Sequence, residues 1–166
     1  MVTIKFFLRQ SERHGDVQSN SFSDIIKDDE GWSRAGSRLS TLVLETDAWA
    51  VGECGLDSTI PVSMKAQEDC FVYQVVLSKV LKLPIIIHER QAFSRVMEVL
   101  TKYGERSMPI HWHCYTGPIE KASSNSNQFP NVKFGATLKL LNDPELQETF
   151  RQLPRTSILL ESDYPY

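Results

Sequence analysis

Short runs of apolar, β-branched residues alternate with longer stretches of helical periodicity, and this alternation constrains the fold more than any other feature. The runs predicted to form strands start near residues 48, 84, 109, 132 and 158. One of them, Ile85–Ile87, is apolar at every position, as expected of a strand buried on both faces. Strands alternating with helices favour a parallel α/β sheet. Their spacing of about 25–35 residues matches the repeating unit of a (β/α) barrel.

Helical signals lie between these runs. The spacing of apolar residues predicts helices over residues 63–82 and 91–103. The first helix should bury a face made of Phe71, Val75, Val76, Val80 and Leu83. A further helix should begin at Asp143-Pro144, with Asp143 as its N-cap and Pro144 at the first helical position.

The first 47 residues are harder to interpret. Ile4–Leu8 has the pattern of a strand, and residues 9–40 are polar and typical of a loop, with a helix predicted near 36–46. We assign residues 1–47 to a poorly readable N-terminal segment of the same domain, and residues 48–166 to the barrel region.

Composition excludes several classes of protein. The 166 residues, 41% of them hydrophobic, suffice for one domain with its own core. The longest apolar runs are far too short to span a bilayer, and no signal-peptide pattern opens the chain. Three cysteines without a C-x-x-C pair argue against a disulfide framework and favour an intracellular, cytoplasmic or nuclear, setting. A net charge of −3 gives no argument for nucleic-acid binding, and no protein partner can be inferred.

Polar residues fall where the predicted strands end. Glu53, His88, His113 and Asp163 each lie at or just past the carboxyl end of an apolar run. In a (β/α) barrel these ends converge on one face, where active sites form. One such histidine is more often structural, but two carboxylates and two imidazoles on successive strands form a ligand set for one or two divalent metals. We expect all four side chains to lie within about 8 Å of a common point, close enough for metal bonds after modest adjustment.

Other reactive residues have simpler interpretations. His14 and His111 are not predicted ligands, although His111 could share the side of the strand on which His113 lies. Cys54 and Cys114 are expected to be small buried side chains rather than thiolate ligands. A serine- or cysteine-based hydrolase has little support, because no G-x-S-x-G occurs and no cysteine is paired with a recognisable base.

Four segments resemble the motifs of the TatD-like deoxyribonuclease family. Val51–Asp57 resembles G-E-x-G-L-D, and Pro84–Ala92 resembles P-x-x-x-H-x-R-x-A. His113–Gly117 resembles H-C-F-[ST]-G, in a form closest to the animal branch, and Leu159–Tyr166 resembles L-L-E-T-D-x-P-Y. The motifs occur in the family's order and spacing over about residues 48–166.

The resemblance implies a fold and a reaction. The fold is the TIM-type (β/α) barrel of the metal-dependent hydrolase superfamily. The reaction is phosphodiester hydrolysis in DNA, often exonucleolytic, with DNA as the substrate and one or two Mg²⁺, Mn²⁺ or Zn²⁺ ions as cofactors. Arg90 and the backbone around Gly117 would lie near the substrate phosphate.

The same resemblance implies the roles of the metal-site residues. Glu53 would be the carboxylate that bridges two metals, and His88 and His113 would be ligands of the second metal. Asp163 would bind metal and orient or deprotonate the attacking water. Glu53 and Asp163 are therefore the predicted catalytic residues.

The sequence departs from the family pattern at its beginning. The family opens with a strand ending in D-x-H-x-H, and no H-x-H precedes Glu53 here. Only 52 residues precede Glu53, whereas three barrel units would need about 90. We therefore expect an N-terminally truncated, incomplete barrel of five to six strands, with weaker metal binding and impaired activity. The alternative is a catalytically inactive TatD-like protein that acts as a binding module or has no independent function.

Overall fold

The computed structural model describes residues 36–37, 40–41, 43–45 and 48–162. Within these ranges the chain forms a five-stranded parallel sheet whose strand order follows the sequence. The strands are β1 (Val51–Asp57), β2 (Ile85–Arg90), β3 (Ile110–Trp112), β4 (Val132–Ala136) and β5 (Ile158–Leu160). The predicted strand at Ile4–Leu8 lies outside the described residues.

Helices connect the successive strands. They are α1 (Met64–Leu81), α2 (Phe93–Tyr103), α3 (Ile119–Gln128) and α4 (Pro144–Gln152), with 3₁₀ turns at Leu138–Asn142 and Arg155–Ser157. Because each strand pairs with the next in sequence, the chain winds in one direction, as in a barrel, and does not reverse as in a doubly wound sheet. Strands β1 and β5 are not paired within the described part, so the sheet is an open arc. The predicted TIM-type (β/α) fold is confirmed, and the described residues supply five of its strands.

Strand β1 corrects the sequence-based boundaries. The predicted strand began near residue 48 and ended at Glu53, whereas β1 continues to Asp57. The extension pairs with β2, with Gly55 opposite His88 and Asp57 opposite Arg90. For the same reason β2 runs past His88 to Arg90. Both strands are longer than predicted because their last residues pair through the backbone, and the apolar pattern of the sequence does not show this pairing.

The buried face of α1 also differs from the prediction. Val76 and Val80 are 40% and 69% exposed. The residues that the helix buries are Gln67, Cys70, Phe71, Gln74, Val75 and Ser78. These follow the helical period, but half of them are polar, and burial of such groups needs local partners. Ser78, for example, donates its hydroxyl hydrogen to the carbonyl oxygen of Leu83 at 2.7 Å.

Helices α4 and α3 differ in how clearly the sequence predicts them. Asp143 caps α4 as predicted, and its Oδ1 accepts a hydrogen bond from the backbone N–H of Leu146 at 3.0 Å. Helix α3 was not predicted, because its serines and asparagines are weak helix formers. The described residues between 36 and 45 are helical, in agreement with the helix predicted there.

No helix formed by the described residues has the length and apolar character needed to cross a bilayer.

The core lies between the sheet and its helices and supports the loop after β3. Trp112 packs against Phe93 with ring centroids 5.4 Å apart, and Tyr115 packs against Phe134 at 4.8 Å. The hydroxyl of Tyr115 donates a hydrogen bond to the carbonyl oxygen of Pro118 at 2.7 Å. Aromatic packing and this bond hold the loop that follows β3 over the carboxyl end of the sheet.

Candidate metal centre

A cleft of about 1230 Å³ opens at the carboxyl ends of the strands. This is the face on which active sites of (β/α) barrels form. Its floor carries acidic groups and imidazoles, and its rim carries basic side chains. The residues that matter below are Glu53, Asp57, His88, Arg90, His113 and Gly117.

Glu53 lies at the centre of the cleft floor. Its Oε1 is 3.0 Å from Nδ1 of His88 and 3.4 Å from Nε2 of His113. The Glu53 and His113 side chains are only 12% and 13% exposed, and that of His88 is 35% exposed. Strands β1 and β2 and the residue that follows β3 therefore bring one carboxylate into contact with two imidazoles.

His88 lies between two carboxylates. Besides Glu53, Oδ2 of Asp57 approaches its Nε2 at 3.4 Å. The hydrogen bond to Glu53, reinforced by the negative charges of both carboxylates, raises the pKa of His88 although burial opposes the shift. Burial also opposes the shift at Asp57, but hydrogen bonds from Thr59 and His88 outweigh it and lower the pKa of that carboxyl. Both shifts favour an ionised Asp57 carboxylate beside a proton-carrying His88 imidazole.

Glu161 follows β5 and forms a second carboxylate contact with the histidines of β3. Its Oε2 lies 2.9 Å from Nδ1 of His113 and 3.1 Å from Nε2 of His111. Its Oε1 accepts a hydrogen bond from the backbone N–H of Cys114. Burial would raise the pKa of Glu161, but these groups together lower it to about 2.

His111 shares the side of the strand with His113, as the sequence indicated it could. The two rings meet edge to face with centroids 6.2 Å apart. The buried Nε2 of His111 is close to Glu161 but has no directed hydrogen bond within the described part of the chain. His111 therefore packs beside His113 and Glu161.

The predicted phosphate-binding residues lie on the rim of the same cleft. Arg90, at the end of β2, is exposed, and Gly117 lies in the loop after β3. Lys121 and Lys139 join Arg90 on the rim. A Cβ at Gly117 would come within 2.7 Å of the Tyr115 hydroxyl, so a larger residue would disturb that loop.

The donor types fit a divalent metal, since carboxylate oxygens and imidazole nitrogens are its usual ligands. In the described residues, however, no group of three or more such side chains is already arranged around one point with metal-binding geometry. The imidazoles and carboxylates contact one another instead. Asp163, the fourth predicted ligand, lies outside the described residues. The structure brings Glu53, His88 and His113 together, and their role as ligands stays a prediction.

Two carboxylates of the cluster were missed by sequence reasoning. Asp57 lies within the first motif, and Glu161 directly follows the last apolar run. The strand-end criterion that selected Asp163 applies equally to Glu161, and it could have identified this residue. Asp57 could be found only by knowing that β1 continues past Glu53.

The sheet topology and the cleft at the carboxyl ends of the strands define a protein of the (β/α)-barrel class, and comparison with known proteins specifies the family. The family model described as TatD related DNase matches residues 24–166. The chain belongs to the TatD-related DNase family.

Several relatives agree with this assignment. An uncharacterised metal-dependent hydrolase, YabD of Bacillus subtilis, is 31% identical over 144 residues, covering 86% of this chain and 54% of that protein. The human 3′-5′ RNA nuclease TATDN2 is 36% identical over 125 residues, or 72% of this chain and 16% of that protein. A 3′-5′ ssDNA/RNA exonuclease TatD of Cronobacter sakazakii is 31% identical over 136 residues, or 80% and 51%. The chain thus spans about half the length of the two bacterial relatives.

Solved structures show the same fold. An uncharacterised amidohydrolase from Saccharomyces cerevisiae superposes with a TM-score of 0.75 at 20% identity, covering 87% of this chain and 50% of that one. A TatD homologue from Escherichia coli K12 gives a TM-score of 0.70 at 22% identity, covering 79% and 51%. The likeness covers the (β/α) fold described above.

Proposed function

We propose that this chain carries the centre of a metal-dependent phosphodiesterase that acts on nucleic acid. The observation that supports it most is the contact of Glu53 with both His88 and His113, at 3.0 and 3.4 Å, on the catalytic face of a barrel of the TatD-related family. A carboxylate between two imidazoles in a basic-rimmed cleft suits hydrolysis of an anionic ester.

Glu53, His88 and His113 would hold a divalent cation, with Asp163 as a further ligand. The cation is Mg²⁺, Mn²⁺ or Zn²⁺, in one or two copies. When bound, such an ion polarises a phosphoryl oxygen and lowers the pKa of water.

The other side chains of the cleft would bind the substrate and accept protons. Arg90, Lys121 and Lys139 provide positive charge at the rim, where it would offset the charge of a phosphodiester backbone. Asp163 would accept the proton of the attacking water. Asp57 would keep the ring of His88 in place through its contact at 3.4 Å.

The substrate we propose is a single strand of DNA or RNA, degraded from its 3′ end. The support comes from the relatives, one a 3′-5′ RNA nuclease and another a 3′-5′ ssDNA/RNA exonuclease. The basic residues on the rim can offset phosphate charge whatever the base sequence, so we propose backbone-directed, sequence-tolerant binding.

The test is hydrolysis of 5′-labelled DNA and RNA single strands with Mg²⁺ or Mn²⁺, comparing the wild type with Glu53→Gln. Loss of one electrostatic element of a catalytic site commonly costs about 10²–10³ in rate, and we expect a loss of that size. The control is Glu98→Gln, which removes one negative charge from the exposed face of α2.

A ladder of products shortened from the 3′ end, dependent on metal and on Glu53, would support the proposal. Equal activity of Glu53→Gln and wild type would refute the assigned centre. Binding of the labelled strands without any hydrolysis by the wild type would favour the inactive binding module instead.

A further inference from the structure

Glu161 is held in a defined position by the backbone of two strands and a loop. Its own N–H donates to the carbonyl oxygen of Ala136 at 3.0 Å, which continues the β4–β5 pairing beyond Leu160. Its Oε2 meets Nδ1 of His113 at 2.9 Å, and its Oε1 accepts from the N–H of Cys114. Each carboxylate oxygen therefore has its own hydrogen-bonding partner, and the side chain is only 13% exposed.

Strand β4 provides the space that this carboxylate occupies. A Cβ added to Gly135 would lie 2.0 Å from Oε1 and 2.4 Å from Cδ of Glu161. Any side chain at position 135 would push the carboxylate away. The carbonyl oxygen of Gly135 also accepts from the N–H of Tyr115 at 3.0 Å, so the same residue anchors the loop that carries Cys114. Gly135 and that loop together form a recess shaped for one carboxylate.

We propose that Glu161 is a positioning residue that fixes the tautomer and orientation of His113. A carboxylate at Nδ1 favours the proton on that nitrogen and leaves the lone pair on Nε2. That nitrogen faces the cleft, 3.4 Å from Oε1 of Glu53. Metal-binding histidines commonly donate their other N–H to a carboxylate in this way. The inference rests on the proposed function, in which His113 is a ligand.

Replacing Glu161 by glutamine tests the chemistry of the recess. A carboxamide has one acceptor oxygen, so it cannot accept from both His113 and Cys114. If the oxygen stays with Cys114, the NH₂ group faces Nδ1 of His113 and favours the opposite tautomer. If it turns to His113, the NH₂ group opposes the N–H of Cys114 and displaces the loop.

Replacing Gly135 by alanine tests position separately from charge. The new methyl group would move the carboxylate away from His113 while leaving its charge in the protein. The atom it meets is the end of a flexible side chain, so the strand can keep its place. Glu98→Gln serves again as the matched control for loss of one carboxylate.

Two measurements show whether Glu161 controls the tautomer of His113 and its binding of metal. Long-range ¹H–¹⁵N NMR of the metal-free protein reports which nitrogen of His113 carries the proton, and calorimetric titration with Mn²⁺ alone gives the affinity. We expect the Nδ1–H form in the wild type and the control, and a loss of that form in Glu161→Gln and Gly135→Ala. We expect Mn²⁺ affinity to fall about 10–100-fold in both variants.

Either an unchanged tautomer or an affinity equal to that of the control, in variants shown to be folded by circular dichroism, would overturn the role of Glu161. If the wild type bound no Mn²⁺, the proposed metal centre would fail. The NMR comparison would then still decide whether Glu161 sets the tautomer of His113, so the two failures are distinguishable.

Discussion

Gly55 shows how a residue without a side chain positions the candidate centre. Its φ of 151° is one that L side chains rarely adopt, and a Cβ there would lie 1.9 Å from the carbonyl oxygen of His88. The close approach lets β1 continue beside β2, with Gly55 opposite His88. Glu53 and His88 are thereby held on neighbouring strands at contact distance.

A Gly55→Ala substitution should therefore destabilise the protein. The backbone conformation alone should cost about 1–3 kcal/mol, and the contact with His88 adds to it. Urea unfolding followed by circular dichroism measures the change. The control is Ser94→Ala, an exposed position of α2, which should stay within about 0.5 kcal/mol of the wild type. Equal stability of the two variants would show that β1 and β2 can separate without cost.

At the residue scale, the sequence indicates the region of the candidate centre but not every side chain in it. The position of Glu53, His88 and His113 at the ends of apolar runs was enough to bring them to one face. The contacts of Asp57 and Glu161 depend on strand register and on the recess at Gly135. No local pattern encodes these, because they arise from residues distant in the chain.

At the scale of elements, local sequence predicts where helix α4 begins, but it does not predict which face of α1 is buried. The Asp143 cap is a local interaction, so sequence alone predicted it. The polar face of α1 is buried through tertiary contacts, such as the Gln67 amide, whose Oε1 accepts from the N–H of Asp57 at 2.8 Å. Apolar periodicity therefore selected Val76 and Val80 wrongly. Helix α3 likewise forms in spite of weak propensity, with Ala122 fully buried.

Replacing Asp143 by alanine should weaken α4. The variant leaves the N–H of Leu146 without its acceptor, and loss of an N-cap costs about 0.5–2 kcal/mol. Thermal unfolding should show a lower midpoint. Asp143→Asn keeps an acceptor oxygen and should recover most of the stability, since asparagine caps about as well as aspartate. Equal losses in both variants would contradict the capping explanation.

At the scale of the whole molecule, the open parallel arc accounts for the position of the candidate centre. Sequential parallel strands direct all their carboxyl ends to one face, so residues from distant parts of the sequence converge there. The alternation of strands and helices predicted this architecture and the order of the strands. The length and pairing of each strand followed from neighbours in space.

Anomalous X-ray diffraction from crystals grown with Zn²⁺ tests the central claim most directly. An ion bound by Glu53, His88 and His113 should give a peak at about 2.0–2.2 Å from their oxygen and nitrogen atoms. The peak should disappear in Glu53→Gln crystals and persist in Glu98→Gln crystals. A wild-type crystal with ions only elsewhere, or with the direct contacts of Glu53 to both imidazoles intact in excess Zn²⁺, would contradict the metal centre.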